Sequence, residues 1–143
     1  MNQQLHFITL ATEDLDAARV FYRDGLGWEP LVDVPGEVIF FQVAPGVTLG
    51  FFDAVKFAED MNRAEPIGGI RGVTLSHNVE SREAVDLTVE TLVSAGGRVM
   101  KAPQDGAFGG IYHAHVSDPN GVVWEIAHNP GWRIDDEDNV RFG

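Results

Sequence analysis

Two histidines and one glutamate near the C-terminal end have the types and spacing for acid–base chemistry. His113 and His115 alternate along one predicted strand, Glu125 lies on the next, and Asp-Pro-Asn-Gly at residues 118–121 separates the two strands. This sequence favours a type I turn with proline at its second position and a glycine that takes a positive φ. A three-residue loop of that kind pairs residue 118 with residue 122. It therefore places His115 opposite Glu125 and puts His113 on the same face.

Side chains paired directly across two antiparallel strands have Cβ atoms about 4.5–5.5 Å apart. His115 can therefore form a hydrogen bond with Glu125. A carboxylate in that place would hold the imidazole as a general acid or orient it as a general base. Three hypotheses are open. In the first, the residues are structural: the histidines satisfy a buried Glu125 carboxylate, or the group lies at a dimer contact. In the second, His113, His115 and Glu125 are catalytic or ligand-binding residues. In the third, they form a His–His–Glu metal site.

The composition excludes several other kinds of function. The chain has 143 residues with 22 acidic and 10 basic side chains, for a formal net charge of −12. Nucleic acids and anionic membranes are not expected partners, because phosphate binding depends on clustered Lys and Arg. The absence of cysteine excludes disulfides, thiolate metal sites and a cysteine nucleophile. The chain has no signal-peptide pattern and no apolar run of about 18 residues, which predicts a cytoplasmic location.

The pattern of apolar residues and turns predicts two similar halves. In each half a strand is followed by a helix and then by three strands, which glycine- or proline-containing turns separate. The first half is predicted to have strands at residues 5–11, 28–34, 37–43 and 47–52 and a helix at 12–28. The second half is predicted to have strands at residues 72–79, 98–102, 110–117 and 122–128 and a helix that begins after Ser81.

This organisation predicts a single α+β domain, residues 1–143, made of two βαβββ modules. The modules span residues 5–53 and 71–130, and residues 54–70 form a linker with one short helix. A module of about 60 residues buries too little surface to be stable by itself. We therefore expect the two modules to pack together and form a concave sheet that holds a ligand. Residues 131–143 are predicted to be a solvated and frayed acidic tail.

Two sequence motifs accompany this repeat. The first is Asp14-Leu15 followed by Phe21-Tyr22 and Leu26-Gly27, and the second is residues 108–130 with the Asp-Pro-Asn-Gly turn and Trp-Glu-Ile. With the repeated element order, they resemble the vicinal oxygen chelate superfamily, which includes glyoxalase I, extradiol dioxygenases, fosfomycin-resistance enzymes and bleomycin-resistance proteins. The resemblance covers residues 5–130 and implies a curved, incompletely closed sheet. It also implies a homodimer, because family members commonly complete their cavities in that way.

The resemblance also indicates where a divalent metal would be bound. The usual ligand positions of the superfamily fall on Phe7, Leu49, Val73 and Glu125. The three apolar side chains offer no lone pair, and one carboxylate cannot hold Zn²⁺, Ni²⁺ or Mg²⁺ against water. His6 is one residue out of register and would point to the opposite face of its strand. We therefore predict no metal cofactor, with the relocated His–His–Glu site as the alternative.

The predicted function is the binding of a small organic ligand in a largely apolar cavity, as in the sequestration of a drug. The residues predicted to line the cavity are Phe7, Thr9, Leu49, Phe51, Val73, Leu75 and His77. His113, His115 and Glu125 are predicted to form its polar end. The alternative is a lyase or isomerase similar to lactoylglutathione lyase. It would act beside a carbonyl with His115 and Glu125 as its acid–base pair, with or without a divalent metal.

Overall fold

The first half of the chain folds around a four-stranded sheet with a short helix on one face. The computed structural model describes residues 1–65, 72–107 and 109–143. The elements of the first half are β1 (Phe7–Thr12), α1 (Leu15–Arg19), a π-helical continuation (Val20–Gly25), β2 (Val32–Val34), β3 (Val38–Ala44) and β4 (Val47–Asp53). The strand order is β1-β4-β3-β2, in which β1 is parallel to β4 and the other neighbours are antiparallel.

Local hydrogen bonds determine where the first helix begins and ends. The Asp14 carboxylate accepts a hydrogen bond of 2.9 Å from the backbone N–H of Ala17 and caps α1. At the other end, the N–H of Leu26 donates to the carbonyl of Phe21, and Gly27 takes a φ of 73° that leads the chain out of the helix. The predicted helix is confirmed in place but is shorter, and the strand predicted after it is reduced to β2.

The second half repeats this arrangement after a connecting helix, α2 (Ala54–Asp60). Its elements are β5 (Thr74–Asn78), α3 (Arg82–Ser94), β6 (Arg98–Asp105), β7 (Tyr112–Ser117) and β8 (Val123–His128). The strand order is β5-β8-β7-β6, with β5 parallel to β8. The Ser81 hydroxyl accepts a hydrogen bond of 3.1 Å from the N–H of Ala84, as predicted for the residue that caps α3. The predicted linker starts with α2, and its end, from residue 66 onward, lies outside the described residues.

One hydrophobic core joins the two halves. The largest fully buried side chains come from the helices and from the helix-covered faces of both sheets: Phe21, Tyr22, Ile39, Phe41, Leu49, Phe51, Val85, Val116 and Ile126. The Tyr22 ring stacks on Phe51 with a centroid distance of 4.5 Å and lies 6.3 Å from Trp124 of the second half. The prediction of an α+β fold with two βαβββ modules is confirmed.

The acidic C-terminal segment forms a small exposed hairpin of β9 (Trp132–Ile134) and β10 (Val140–Phe142). Asp135 accepts hydrogen bonds of 2.9 and 3.0 Å from the backbone N–H groups of Asn139 and Glu137, and one of 2.8 Å from Arg141. These bonds hold the pKa of Asp135 below its ordinary value, and the bond from the Asn139 backbone has the largest effect. The prediction of a frayed tail is therefore wrong, because the acidic residues organise a turn.

In the part of the chain that the structure describes, no helix has the length and hydropathy needed to cross a membrane.

Candidate functional site

The turn between β7 and β8 has the predicted geometry. Asp118 accepts hydrogen bonds of 2.8 Å from the backbone N–H groups of both Asn120 and Val122, which closes the loop after three residues. His115 consequently pairs with Glu125, and the predicted register of the hairpin is confirmed.

Glu125 lies at the centre of a hydrogen-bonded group on one face of the second sheet. Its Oε2 atom is 3.1 Å from His113 Nδ1 and 3.4 Å from His115 Nε2. Its other oxygen, Oε1, accepts a hydrogen bond of 3.1 Å from the Ser76 hydroxyl. The side chains of His113, His115 and Glu125 are 15%, 26% and 30% exposed, so the group is sheltered but open to small molecules.

A lysine completes this group and determines the tautomer of one histidine. Lys101 Nζ lies 3.2 Å from His113 Nε2. An ammonium group only donates hydrogen bonds, so the Nε2 atom must accept and the proton of a neutral His113 ring is on Nδ1, directed at Glu125. We call Ser76, Lys101, His113, His115 and Glu125 the polar cluster.

Sequence reasoning missed two members of the polar cluster, Ser76 and Lys101. Ser76 reaches Glu125 because the two residues pair in the parallel ladder of β5 and β8, and Lys101 pairs with His115 across β6 and β7. A parallel pair has no connecting turn from which its register can be derived. In β6 the register also shifts on both sides of Lys101. The sequence carries no local signal that locates either Ser76 or Lys101 at the site.

The environment of Glu125 favours the ionised carboxylate. Partial burial raises its pKa, but hydrogen bonds from His113, Ser76 and His115 act in the opposite direction and together outweigh it. The pKa of Glu125 is therefore held below its ordinary value, and the group carries a full negative charge at neutral pH. It can accept a proton, orient an imidazole or ligate a cation.

The residues predicted to line a cavity from the first sheet lie on two different faces. In the parallel ladder of β1 and β4, Phe7 pairs with Thr48 and Thr9 pairs with Gly50. Phe7 and Thr9 therefore point to the open face of the sheet, where the Phe7 side chain is 53% exposed. Leu49 and Phe51, in contrast, belong to the opposite, helix-covered face and are fully buried; the prediction that these four share one surface is wrong.

In the second sheet, the same one-residue offset places two predicted residues on the face opposite to Glu125. Leu75 pairs with Trp124 and His77 pairs with Ile126, so both point away from the face that carries Glu125. Val73 precedes β5 and is exposed. The prediction that Leu75 and His77 share a surface with the polar cluster is wrong, because a shift of one residue reverses the face of a strand.

The predicted cavity residues are divided between an apolar cavity, which Leu49, Leu75 and His77 line as predicted, and a smaller one that His113 and Glu125 line. An apolar cavity of about 730 Å³ lies between the two sheets, with walls that include Ile8, Trp28, Phe41, Leu49, Leu75 and Trp124. Glu29 and His77 contribute polar groups to it. A second cavity of about 310 Å³ is lined by residues of the polar cluster, Lys101, His113 and Glu125, with Asn78 and Asn129. Ser76 connects the two, since it lines the apolar cavity and is hydrogen-bonded to Glu125.

The usual metal positions of the superfamily do not fit a metal in this chain. Phe7 is on the open face, Leu49 is in the core and Val73 lies ahead of β5, and none of these side chains carries a donor atom. Glu125 is instead grouped with His113 and His115, and one potential ligand atom from each of the three lies within 4.8 Å of the other two.

A match between the chain and a known protein family agrees with the fold and with the two sequence motifs. The model of the Glyoxalase/Bleomycin resistance protein/Dioxygenase superfamily matches residues 4–126. The chain belongs to this superfamily, and the predicted resemblance is confirmed. No functionally curated protein matches the chain.

Solved structures support the same assignment. A glyoxalase-related enzyme from Fulvimarina pelagi is 35% identical, with a TM-score of 0.87 and coverage of 99% of each chain. A glyoxalase/bleomycin resistance protein/dioxygenase from Nocardioides is 26% identical, with a TM-score of 0.73 over 92% of this chain and 87% of that one. A lactoylglutathione lyase from Agrobacterium tumefaciens, at 23% identity, shares the fold with a TM-score of 0.68 over 89% of this chain and 94% of that one.

Proposed function

We propose that the chain binds a small organic ligand in the apolar cavity between its two sheets. The observation that supports this proposal is the size and lining of the cavity. Its volume of about 730 Å³ accommodates a drug-sized molecule. Trp28 and Trp124 offer aromatic surfaces, and Leu49 and Leu75 offer aliphatic ones. Apolar area of this kind supplies affinity, and the few polar groups supply orientation.

The charge of the protein favours a cationic ligand. The net charge is −12, and Glu29 contributes a carboxylate to the cavity. A field of this sign raises the rate at which cations arrive and disfavours anions. Binding of a cationic aromatic antibiotic would make the protein a drug-sequestering member of its superfamily.

Tryptophan fluorescence provides a direct test, since two of the three tryptophans line the cavity. A thermal-shift screen against cationic antibiotics and α-keto compounds selects ligands, which are then titrated into a Trp132→Phe background. We expect saturable quenching of Trp28 and Trp124. Ala44→Phe, which adds a ring to the cavity wall, should abolish it, and the exposed Ala102→Phe should not. Quenching that Ala44→Phe leaves unchanged would exclude the cavity.

The second candidate function is a lyase or isomerase reaction at the polar cluster. The observation that favours it is the ionised Glu125 carboxylate beside two imidazoles, His113 and His115. Such a group can remove a proton from carbon next to a carbonyl and return it to a neighbouring atom. The name of the 35% identical relative, a glyoxalase-related enzyme, supports this reading.

Deuterium incorporation tests that reaction. The hemithioacetal of methylglyoxal and glutathione, or an α-keto compound, is incubated with the protein in D₂O and followed by proton NMR. We expect exchange at the carbon beside the carbonyl, and a loss of about 100-fold or more in Glu125→Gln. Glu29→Gln, which lies at the other cavity, is the matched control. If the wild type shows no exchange, this candidate is excluded.

The expected homodimer and cytoplasmic location are also proposals. Apolar side chains that are exposed in the single chain, among them Phe7 and Met100, support a dimer. Sedimentation analysis should give twice the chain mass, and Phe7→Asp should shift the equilibrium toward the monomer. A monomeric wild type at micromolar concentration would contradict the proposal.

A further inference from the structure

We propose that His113, His115 and Glu125 bind a divalent transition-metal ion. The proposed ligands line the smaller cavity or its edge, and the site would exist whether or not the apolar cavity, which Ser76 connects to it, binds a ligand. Only Glu125 occupies a position at which the superfamily usually holds a metal. The two histidines come from β7, the antiparallel neighbour of β8. The ligand set thus differs from the one implied by the positions of Phe7, Leu49 and Val73.

The spacing of the donor atoms matches a coordination shell. At metal–ligand distances of about 2.0–2.2 Å, neighbouring ligand atoms lie about 2.8–3.1 Å apart in an octahedral shell and about 3.3–3.6 Å apart in a tetrahedral one. Glu125 Oε2 is 3.1 Å from His113 Nδ1 and 3.4 Å from His115 Nε2. Two of the three donor pairs thus have the separation that a bound ion requires, and one donor atom from each of the three side chains lies within 4.8 Å of the other two. Because each of them is partly exposed, the ion would keep open positions for water or a ligand in the adjoining 310 Å³ cavity.

The donor types select the class of metal. Two imidazoles and one carboxylate suit Zn²⁺, Fe²⁺, Co²⁺ or Ni²⁺ and fit Ca²⁺ or Mg²⁺ poorly, since those ions prefer oxygen ligands. Ser76 bonds the Oε1 atom of Glu125 and thereby orients the carboxylate with Oε2 toward the histidines. Hydrogen bonds from outside the coordination shell serve this purpose in known metal sites.

Lys101 weakens metal binding at this site, and replacing it therefore provides a specific test of the proposal. If His113 binds the ion through Nδ1, its proton moves to Nε2, which then needs an acceptor. Lys101 Nζ, 3.2 Å from that atom, is a donor with a positive charge. A glutamine at this position would remove the charge and offer a carbonyl oxygen. Lys101→Gln should therefore bind the metal more tightly than the wild type.

The experiment uses tag-free protein from which metal has been removed with a chelator. Zn²⁺ is titrated by calorimetry, and Co²⁺ by visible absorption, which reports nitrogen and oxygen coordination directly. We expect one equivalent of each ion. His115→Gln and Glu125→Gln should weaken binding more than tenfold, and Lys101→Gln should strengthen it about tenfold. His77→Gln, on the opposite face of the sheet, should bind as the wild type does.

Circular dichroism of each variant confirms that it is folded. The proposal is overturned if neither the wild type nor Lys101→Gln binds Co²⁺ at millimolar concentration. It is also overturned if both ligand variants bind with unchanged affinity. If a ligand variant fails to fold, the proposal is judged from the Co²⁺ spectrum of the wild type and from whether Lys101→Gln binds the metal more tightly than the wild type. Absence of metal binding would leave the acid–base reaction at the polar cluster, which the deuterium exchange measures separately.

Discussion

The hydroxyl group of Tyr22, in the helical segment of the first module, donates a hydrogen bond of 2.8 Å to Oδ2 of Asp118, in the last turn of the second module. The same hydroxyl accepts a hydrogen bond of 2.9 Å from the indole N–H of Trp124. Both Tyr22 and Asp118 are buried. Burial raises the pKa of Asp118 above its ordinary value, although the hydrogen bonds from Tyr22 and from the turn lower it. The turn of the second module is thus bonded to the core of the first.

Tyr22→Phe should destabilise the protein by about 1–3 kcal/mol at pH 7, since it leaves a buried carboxylate oxygen and the indole N–H of Trp124 without partners. The loss should be smaller near pH 3, because a protonated Asp118 does not require the donor. Urea denaturation at both pH values measures it. Tyr112→Phe removes a hydroxyl whose bond to Asp86 is exposed and should change stability by less than about 0.5 kcal/mol. Equal losses in the two variants would contradict the argument.

A second contact between the modules has no room for an added methyl group. A Cβ atom at Gly25, at the end of the π-helical segment, would lie 2.7 Å from the Cβ of Ala95, which follows α3. Gly25→Ala should therefore cost about 1–3 kcal/mol. Ala95→Gly in the same chain should restore part of this loss, but not all, because the backbone oxygen of Ala95 would still be 3.2 Å away. A double-mutant cycle measures the coupling, and additive effects would show that the two residues do not collide.

The register of the hairpin formed by β7 and β8 could be predicted from this sequence, and the registers of the two parallel strand pairs could not. The pairing of His115 with Glu125 follows from the chemistry of residues 118–121, because a turn of known length determines the register of the strands that it connects. The parallel pairs β1–β4 and β5–β8 have long connections, and apolar alternation alone leaves their offset open by one residue. Because of this offset of one residue, Leu49 and Leu75 lie on the face opposite to the predicted one.

The composition of the site could be predicted only in part for the same reason. The three side chains of one hairpin, His113, His115 and Glu125, are together as predicted. Ser76 and Lys101 join them from strands whose registers depend on tertiary packing. The C-terminal hairpin was missed because an acidic run has the composition of a solvated tail, whereas the Asp135 hydrogen bonds depend on a turn.

The ion pair between Arg19 and Asp33 should make stability depend on pH. Asp33 accepts hydrogen bonds of 2.9 and 2.7 Å from Arg19 and one of 3.1 Å from Arg23. The hydrogen bond from Arg19 is the main reason why the pKa of Asp33 is below its ordinary value. A lowered carboxyl pKa stabilises the folded state above the unfolded pKa of about 4, and this contribution is lost as the pH falls through the folded value.

Asp33→Asn should therefore destabilise the protein at pH 7, and the difference from the wild type should shrink as the pH falls below about 4 and through the lowered pKa of Asp33. Because the Asp33 side chain is one-fifth exposed, we expect about 1 kcal/mol rather than the 3–5 kcal/mol of a fully buried pair. Thermal unfolding at a series of pH values measures the difference. Asp24→Asn alters an exposed pair with Arg23 and should have no measurable effect. A difference that is constant with pH would contradict the role of the charge.

The bond between Ser76 and Glu125 should be visible in the titration of the carboxylate. Ser76→Ala removes one of the donors that lower the pKa of Glu125, so that pKa should rise in the metal-free protein while the bonds from His113 and His115 keep it from rising further. Carbon-13 NMR of the Glu125 side-chain carboxyl group, followed from pH 2 to pH 8, measures the shift. Thr74→Ala, two residues earlier on the same face of β5, should leave the titration curve unchanged. If both variants titrate as the wild type does, the serine is not a donor to the carboxylate in solution, and the orientation of Glu125 must come from the histidines alone.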